Sequence, residues 1–313
     1  MRVKFWGVRG SIPTPLTPEQ VKRKISAVVQ RIQPADIESP EARERFMARL
    51  PRSIFGTVGG NTTFLQVTLS SGVEILLDGG SGMAEYSRDL VRRPRPVREF
   101  HIFFSHFHWD HLMGIPFFGQ LFSPANRATF YSPVKDFEKT IRDQMKYPYF
   151  PVPMDVMKAQ MSFQVLTEKP MRLGGAEITW KVMKHPGGCF SYKITENGRS
   201  LIFATDSEIT EDDFKTIGEN RTYFMGSDVL VLDSQYTLGE AIEKYDWGHT
   251  SYSLAVELAH ELDIGTLVLF HHEPLYEDRK VWSIHQSAEW YAARMSERDL
   301  TILLAQEGLE LEV

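Results

Sequence analysis

Residues 103–112 constrain this chain more than any other segment, because they place four metal-binding residues within six positions. The four residues are His106, His108, Asp110 and His111. They follow the apolar run 101–104, which is typical of a buried strand. Side chains two apart on an extended backbone point the same way, so His106 and His108 are expected to converge on one ion. Asp110 and His111, beyond the bend, are expected to face a second ion. The alternative is a set of packed histidines, and it requires a separate hydrogen-bond partner for every ring.

The pattern His-x-His-x-Asp-His after an apolar strand resembles the signature of the metallo-β-lactamase-like hydrolases. Three further segments resemble the branch of that superfamily that contains ribonuclease Z and the cyclic phosphodiesterases. They are residues 1–13 (MRVKFWGVRGSIP), 59–63 (GGNTT) and 77–80 (LDGG). The resemblance extends over nearly the whole chain and leaves out residues 16–56. It implies an α+β fold, in which two mixed β-sheets flanked by helices form a four-layer αβ/βα sandwich. Residues 1–313 are expected to form one such domain.

Composition agrees with a large globular domain. The 313 residues are 42% hydrophobic and 24% charged, and such a chain can bury a full core. The sequence contains no apolar run near the ~20 residues that a membrane span needs, and its N-terminus begins with a strand-like segment instead of a signal peptide. The single Cys189 excludes an internal disulfide and is expected to be a small core residue in a reducing compartment. We therefore predict a cytoplasmic protein with no membrane partner.

Periodicity and turn residues predict the order of the secondary structure elements. Strands are expected at 2–6, 64–69, 73–77, 128–131, 161–166, 176–183, 190–195, 200–204, 228–232 and 265–270. Helices are expected at 83–92, 134–145, 252–262 and 281–294. The last two strands, 301–304 and 309–313, are expected to close the second sheet. The aromatic, proline-rich segment 146–153 is predicted to be a packed loop, and the alternative is that its rings line a pocket that stacks a base.

Residues 16–56 differ in character from the rest of the chain and are predicted to be a helical insertion. Segments 21–32 and 40–50 carry charged residues among spaced apolar positions, which is typical of amphipathic helices. Three roles are open for them. The helices pack on the outside of the domain, or they form a lid over the site, or they provide the contact of a homodimer.

The resemblance extends the ligand set beyond the central motif. His185 and Asp206 each follow a predicted strand in the order that the family uses, and they are implied as the third histidine of one metal site and the bridging carboxylate. His271 matches the last metal ligand, and the adjacent His272 is expected to be its exposed neighbour, because the strand period allows only one of the two to face the metals. Asp78 is implied as a buried residue that orients the metal centre without binding metal.

The first predicted site therefore contains His106, His108 and His185. The second contains Asp110, His111 and His271, with Asp206 spanning both. Imidazole and carboxylate ligands suit Zn²⁺ best, and they also accept Mn²⁺ or Fe²⁺. Two such ions lower the pKa of a bridging water and steady the charge that develops in an in-line displacement. This set therefore predicts attack by a metal-bridging hydroxide on a phosphodiester, with Asp110 counted among the catalytic residues.

Ribonuclease Z and its relatives carry an acidic residue and a histidine outside the metal ligands, and the matching positions here are Asp233 and His249. The pair is expected to assist departure of the leaving oxygen, and the alternative is that His249 caps the following helix. The sequence departs from the family at Leu232, where relatives often have histidine. It departs again between His185 and Asp206, where the 20 residues 186–205 leave no room for the arm with which ribonuclease Z grips tRNA.

Net charge of −6 offers no general attraction to a phosphate polymer, so long nucleic acid is not the expected partner. The preferred prediction is a dinuclear metal phosphodiesterase that acts on a small phosphodiester or nucleotide, including cyclic ones. Three alternatives remain open. They are a ribonuclease Z-like RNA endonuclease, a thioester or lactam hydrolase, and a metal-site nucleotide sensor without turnover.

Overall fold

Fourteen strands form two seven-stranded sheets in the computed structural model, which describes residues 1–215, 218–295, 298 and 300–313. The first sheet, in spatial order, contains β14 (Glu310–Glu312), β1 (Arg2–Gly7), β2 (Phe64–Thr68), β3 (Glu74–Leu77), β4 (Glu99–Phe103), β5 (Arg127–Ser132) and β6 (Gln160–Val165). The second contains β13 (Thr301–Leu304), β12 (Thr266–Phe270), β11 (Val229–Asp233), β10 (Arg199–Ala204), β9 (Cys189–Glu196), β8 (Ala176–Met183) and β7 (Met171–Leu173). Parallel and antiparallel pairs occur in both sheets, as predicted.

Ten α-helices accompany these strands within the described residues. They are α1 (Pro18–Val29), α2 (Pro40–Arg49), α3 (Arg52–Phe55), α4 (Gly82–Arg92), α5 (Phe137–Gln144), α6 (Asp212–Lys215), α7 (Glu219–Phe224), α8 (Leu238–Glu243), α9 (Tyr252–Glu261) and α10 (Asp278–Met295). The sequence patterns did not predict β7, α3, α6, α7 or α8, which are too short to show a clear period. No helix among these residues is both long enough and apolar enough to span a membrane.

The core has three parts, which correspond to the three interfaces of a four-layer sandwich. A central cluster joins side chains of both sheets, such as Val67 and Phe103 of the first with Ile178 and Val231 of the second. A second cluster packs α9 and α10 on the second sheet, and a third packs α4 and α5 on the first. Each sheet is therefore covered on both faces, which explains why β11 is a nearly continuous apolar run and why residues 100–103 of β4 are all buried. The predicted fold class is confirmed.

One predicted strand lies in the other sheet. Residues 309–313 were expected to close the second sheet together with 301–304, and this prediction is wrong. β13 does pair with β12, but β14 pairs antiparallel with β1 at the edge of the first sheet, with Val3 opposite Leu311. The chain crosses between the sheets after Ala305 and turns at Gly308, whose φ of +84° suits glycine. β14 thereby supplies hydrogen-bond partners to an edge of β1 that would otherwise be open.

Segment 16–56 is helical, and the structure does not place it over the predicted ligands. Thr17 and Gln20 form a capping box at the start of α1. The Lys24 ammonium donates to the carbonyl oxygens of Ser53 and Gly56 at 2.6 and 2.7 Å, and to Asp278 Oδ2 at 2.7 Å. These bonds tie α1 to α3 and to the first residue of α10. The placement of these helices does not support a lid over the site. It agrees with helices that pack on the outside of the domain.

Candidate metal centre

The strand end that carries the central motif is held in place by Asp78. Asp78 follows β3 with a φ of +64°, and its carboxylate accepts hydrogen bonds from Ser105 N at 2.7 Å and Ser105 Oγ at 2.8 Å. The chain is extended at His108 and tightens into a 3₁₀ turn at Trp109–His111. This change of backbone direction separates the first pair of motif residues from the second pair.

The first ligand cluster contains His106, His108, His185 and Asp206. His108 Nδ1 lies 2.9 Å from His106 Nε2 and 3.1 Å from His185 Nε2. Asp206 Oδ2 lies 3.7 Å from the Nε2 atoms of both His106 and His185. The motif and two loops at strand ends of the second sheet thus meet at one point, as the sequence predicted for these four residues.

The second ligand cluster contains Asp110, His111, His271 and again Asp206. His111 Nε2 lies 3.2 Å from both Asp110 Oδ2 and Asp206 Oδ1. His271 Nε2 lies 3.1 Å from Asp206 Oδ1 and 3.4 Å from Asp110 Oδ2. Asp206 therefore directs one carboxylate oxygen to each cluster, which is the arrangement expected of a bridging ligand. The roles of these seven residues as metal ligands remain a prediction.

The chemistry of these side chains fits divalent cations. Three imidazole nitrogens converge on one point in the first cluster. Each neutral ring has only one N–H donor and one lone pair, so the three rings cannot satisfy one another by hydrogen bonds at that point. In the second cluster, the buried Nε2 atom of His111 lies 3.2 Å from Asp110 Oδ2 and Asp206 Oδ1 without forming a hydrogen bond to either. Buried groups of this kind are normally hydrogen-bonded or bound to an ion. One cation in each cluster would accept all of these lone pairs, and nitrogen with carboxylate oxygen is a donor set that Zn²⁺ prefers.

In the first cluster, the local electrostatics favour the protonation states that bind cations. Burial lowers the pKa of His106 well below its usual range, and it also lowers the pKa values of His108 and His185. Burial alone would raise the pKa values of Asp110 and Asp206, but the neighbouring histidine charges outweigh it and hold both pKa values well below the usual range. Neutral imidazoles and ionised carboxylates are the forms that bind metal. In the second cluster, burial alone would lower the pKa of His111, but the charges of Asp110, Asp206 and Asp78 outweigh burial and raise that pKa well above its usual range, so an ion there must displace the His111 proton.

Four of the five histidine ligands have an oxygen partner for the ring nitrogen that faces away from the cluster. His111 Nδ1 contacts Asp78 Oδ2 at 2.8 Å, and His185 Nδ1 contacts the Gly248 carbonyl oxygen at 2.9 Å. His271 Nδ1 contacts Gln235 Oε1 at 3.1 Å, and His106 Nδ1 contacts Ser105 Oγ at 3.1 Å. Such partners fix the ring orientation and the tautomer of a ligand. The predicted position of Asp78 outside the ligand shell agrees with these contacts.

Several residues that support the ligands were not singled out from the sequence. Ser11 N donates to Asp110 Oδ2 at 2.8 Å. A Cβ atom at Gly10 would lie only 2.6 Å from the His271 ring, so only glycine allows this approach. Gln235 orients His271, as described above. Gly10 and Ser11 belong to the N-terminal segment that resembles the family, whereas Gln235 had no local signal beyond its place after a buried strand.

The predicted Asp233–His249 pair is formed and lies beside the ligands. His249 Nδ1 is 2.6 Å from Asp233 Oδ2, and the His249 ring stacks on the His271 ring with centroids 5.1 Å apart. Burial alone would lower the pKa of His249, but the charge of Asp233 and the hydrogen bond to it raise the pKa to about 9. The alternative role of His249 as a helix cap is wrong, because Ser251 caps α9 by accepting a hydrogen bond from Leu254 N.

Two further expectations are corrected by the structure. His272 was expected to be exposed, but it is 4% exposed and contacts the Ala305 carbonyl oxygen through Nε2 at 2.8 Å. Burial lowers the pKa of His272 to about 3, so it serves as a neutral core residue. Tyr147 and Tyr149 of the aromatic loop are exposed and are not among the residues that line the ligand cleft. Ordinary loop packing is therefore wrong for Tyr147 and Tyr149, since both rings project into solvent.

An open cleft of about 480 Å³ lies over the two clusters. It is lined by Ser11, Phe107, His108, Trp109, Asp110, His185, Pro186, Asp206, Trp247 and His249. The ligands form its floor, and Trp109 and Trp247 are the large exposed aromatic side chains at its rim. No residue of segment 16–56 appears in this lining, although all of that segment is described.

Comparison with known proteins supports the same architecture. A family profile described as the beta-lactamase superfamily domain matches residues 74–272. A ribonuclease BN from Citrobacter koseri is 23% identical over 254 residues, which cover 65% of this chain and 80% of that protein. The crystal structure of Zn²⁺-bound PqqB from Methylobacterium extorquens covers 100% of both chains, with a TM-score of 0.67 and 14% identity. A diphosphatase of the PhnP family covers 100% of this chain and 97% of its own, with a TM-score of 0.61 and 17% identity.

Proposed function

Because the chain belongs to the beta-lactamase superfamily domain family, we propose that it is a hydrolase that uses two divalent metal ions to cleave a small phosphodiester. The observation that carries this proposal is the pair of ligand clusters that share Asp206, with His249 beside them. A thiolate can leave an acyl carbon without protonation, whereas expulsion of an alkoxide from phosphorus benefits from a protonated histidine held by a buried carboxylate.

His106, His108 and His185 would hold the first ion, and Asp110, His111 and His271 would hold the second. Asp206 would bind both ions through its two oxygens. When bound, two divalent ions supply Lewis acidity, a water of lowered pKa and neutralisation of phosphate charge. Zn²⁺ suits these ligands best, with Mn²⁺ or Fe²⁺ accommodated by the same donors. The similarity to PqqB, which was crystallised with Zn²⁺, supports zinc.

His249 would donate a proton to the leaving oxygen of the substrate. Its Nδ1 faces Asp233, so the proton that it transfers is held at Nε2, the ring nitrogen that Asp233 does not contact. Asp233 is itself fixed by backbone N–H groups of Ser207, Gln235 and Thr250 at 3.1–3.3 Å. A positioned general acid contributes about 10²–10⁴-fold when the leaving group is a poor one. Asp233 acts through His249 and is a positioning residue.

The preference for a small substrate has two supports. The cleft volume lies within the roughly 300–1,000 Å³ typical of small-molecule sites. β9 and β10 are joined by a tight turn at Asn197 and Gly198, so the segment between His185 and Asp206 has no protruding arm. The ribonuclease BN relative keeps RNA cleavage as the second candidate, and the experiment below includes it.

A substrate screen tests the proposal. Purified protein supplied with Zn²⁺ or Mn²⁺, with its metal content measured, is assayed on bis(p-nitrophenyl) phosphate, 2′,3′- and 3′,5′-cyclic nucleotides, a tRNA precursor, a thioester and a lactam. We expect hydrolysis of the diesters and loss of this activity in Asp206→Asn, because Asp206 is shared by both clusters. Asparagine tolerates the φ of +42° at this position. Asp263→Asn, at another positive φ of 62° on the surface, is the matched control.

Each other outcome contradicts the proposal in a distinct way. Turnover of the thioester or lactam without diester hydrolysis would assign acyl chemistry. Cleavage confined to the tRNA precursor would assign ribonuclease activity. Tight binding of nucleotide without turnover of any substrate would assign a sensor.

A further inference from the structure

We propose that Trp109 and Trp247 hold a planar ring of the substrate, so that the cleft selects phosphodiesters that carry a nucleobase or a similar aromatic group. The inference rests on the proposed function, because the metal ligands fix where the phosphate would lie. It assigns ring recognition to two tryptophans at the rim instead of the aromatic loop 146–153.

Both tryptophans expose ring surface that the protein leaves uncovered. Trp109 is 77% exposed and Trp247 is 61% exposed, and both line the cleft. Within the described part of the chain, neither ring stacks on another aromatic ring, and the Lys244 ammonium near Trp247 is 5.7 Å from its ring centroid. Exposed large apolar side chains that border a ligand cleft indicate a binding surface. Tryptophan offers a wide π face to which any base can stack.

The backbone of each tryptophan is fixed beside a metal ligand. The carbonyl oxygen of Trp109 accepts hydrogen bonds from Leu112 N at 3.0 Å and Met113 N at 2.8 Å, within the turn that also carries His111. The other tryptophan precedes Gly248, whose N–H donates to Glu208 Oε2 at 3.0 Å and whose carbonyl oxygen contacts His185 Nδ1 at 2.9 Å. With the backbone fixed, only the side-chain torsions of each ring remain to be ordered when a ligand binds, which favours affinity.

The charges around the cleft favour a ring over a phosphate chain. The described residues that line it include neither lysine nor arginine. Proteins that grip several phosphates of a polymer use such side chains, often together with aromatic rings. Here the ions, together with His249, would hold a phosphate, and the remaining contact area at the rim is mainly aromatic. A small molecule with one phosphate near a planar ring matches both parts of this surface.

A binding experiment on the metal-loaded protein tests the assignment. Adenosine 5′-monophosphate and ribose 5-phosphate carry the same phosphate group and sugar, and only the first has a base. Their affinities are measured by calorimetry for the wild type, Trp109→Ala, Trp247→Ala and Trp290→Ala, with metal content determined for each. Trp290 is 59% exposed on α10 and does not line the cleft, so it is the matched control.

We expect the wild type and Trp290→Ala to bind adenosine 5′-monophosphate about tenfold more tightly than ribose 5-phosphate, since stacking on one aromatic side chain typically gives such a preference. Each cleft variant should lose most of this preference while keeping its metals, and Trp109→Phe and Trp247→Phe should keep most of it. Equal affinities in the wild type, or an unchanged preference in both alanine variants, would overturn the assignment.

The same preparations separate this inference from the proposed function. Hydrolysis of bis(p-nitrophenyl) phosphate without a preference for the base would overturn ring recognition alone. A preference for the base without hydrolysis of any diester would overturn the proposed phosphodiesterase activity and leave ring recognition standing.

Discussion

Replacing Asp78 by asparagine should weaken metal binding at the second cluster without unfolding the protein. Asp78 Oδ2 contacts His111 Nδ1 at 2.8 Å, so the proton of the neutral His111 ring stays on Nδ1 and the Nε2 lone pair points to the cluster. In Asp78→Asn, the oxygen of the amide is retained opposite Ser105 N, and the NH₂ group then faces His111 Nδ1. Two donors cannot pair, so the His111 proton moves to Nε2 and the lone pair is lost to the metal.

The magnitude follows from the contact between Asp78 and His111, because the Ser105 hydroxyl, which donates to Asp78 Oδ2, can rotate and accept from the new NH₂ group. Removing such a hydrogen-bonded partner of a metal ligand typically lowers metal affinity about 10–100-fold. This range corresponds to about 1.4–2.7 kcal/mol at 25 °C, which agrees with the roughly 1.5–3 kcal/mol assigned to a hydrogen bond with a charged group. The φ of +64° at Asp78 is accessible to asparagine, so backbone strain should add little.

Competition with a chromophoric zinc chelator measures the affinity of each ion separately. We expect one ion to remain bound as tightly as in the wild type and the other to be released at a chelator concentration about 10–100-fold lower. Asp136→Asn is the control, because Asp136 is exposed and has a φ of 55°. Wild-type affinity for both ions in Asp78→Asn, with the thermal transition unchanged, would refute the role of Asp78 in fixing the His111 tautomer.

Three further results are expected. Lys24→Met should lower the free energy of unfolding by about 2 kcal/mol in urea titrations, because it leaves buried Asp278 with one cationic partner fewer. The control Lys22→Met, at an exposed position, should leave the free energy of unfolding almost unchanged. Equal effects of the two substitutions would contradict this reasoning. His249→Ala should keep its metals and lose about 10²–10⁴-fold more rate on an alkyl diester than on bis(p-nitrophenyl) phosphate, whereas equal losses would make His249 a structural or substrate-positioning residue. A Gly/Ser linker in place of residues 18–54 should leave the substrate profile unchanged, since that segment lines no part of the cleft; acceptance of bulkier substrates would restore the lid hypothesis.

The sequence by itself predicted the four clustered ligand candidates and the order of most strands and helices, because both depend on short-range regularities, whereas the four-layer sandwich was implied by the family resemblance. His106, His108, Asp110 and His111 are four of six neighbours after an apolar strand, and that local spacing already separates them into two pairs. The two-residue period at 271–272 allowed only one histidine to face the ligands, and His271 is the one that does. Residues with no distinctive neighbours, such as His185 and Asp206, were assigned only through the family resemblance.

Tertiary structure decided what depends on contacts between distant segments. The strand pattern at 309–313 was visible in the sequence, but its partner was not, because the open edge of β1 lies about 300 residues away along the chain. The same limit applies to the support of His271 by Gln235 and Gly10, and to the burial of His272 against Ala305. Trp109 and Trp247 likewise reach one cleft only because the two sheets pack face to face. Local spacing fixes which side chains are able to bind an ion, whereas sheet packing fixes which distant groups orient those side chains and what borders the opening above them.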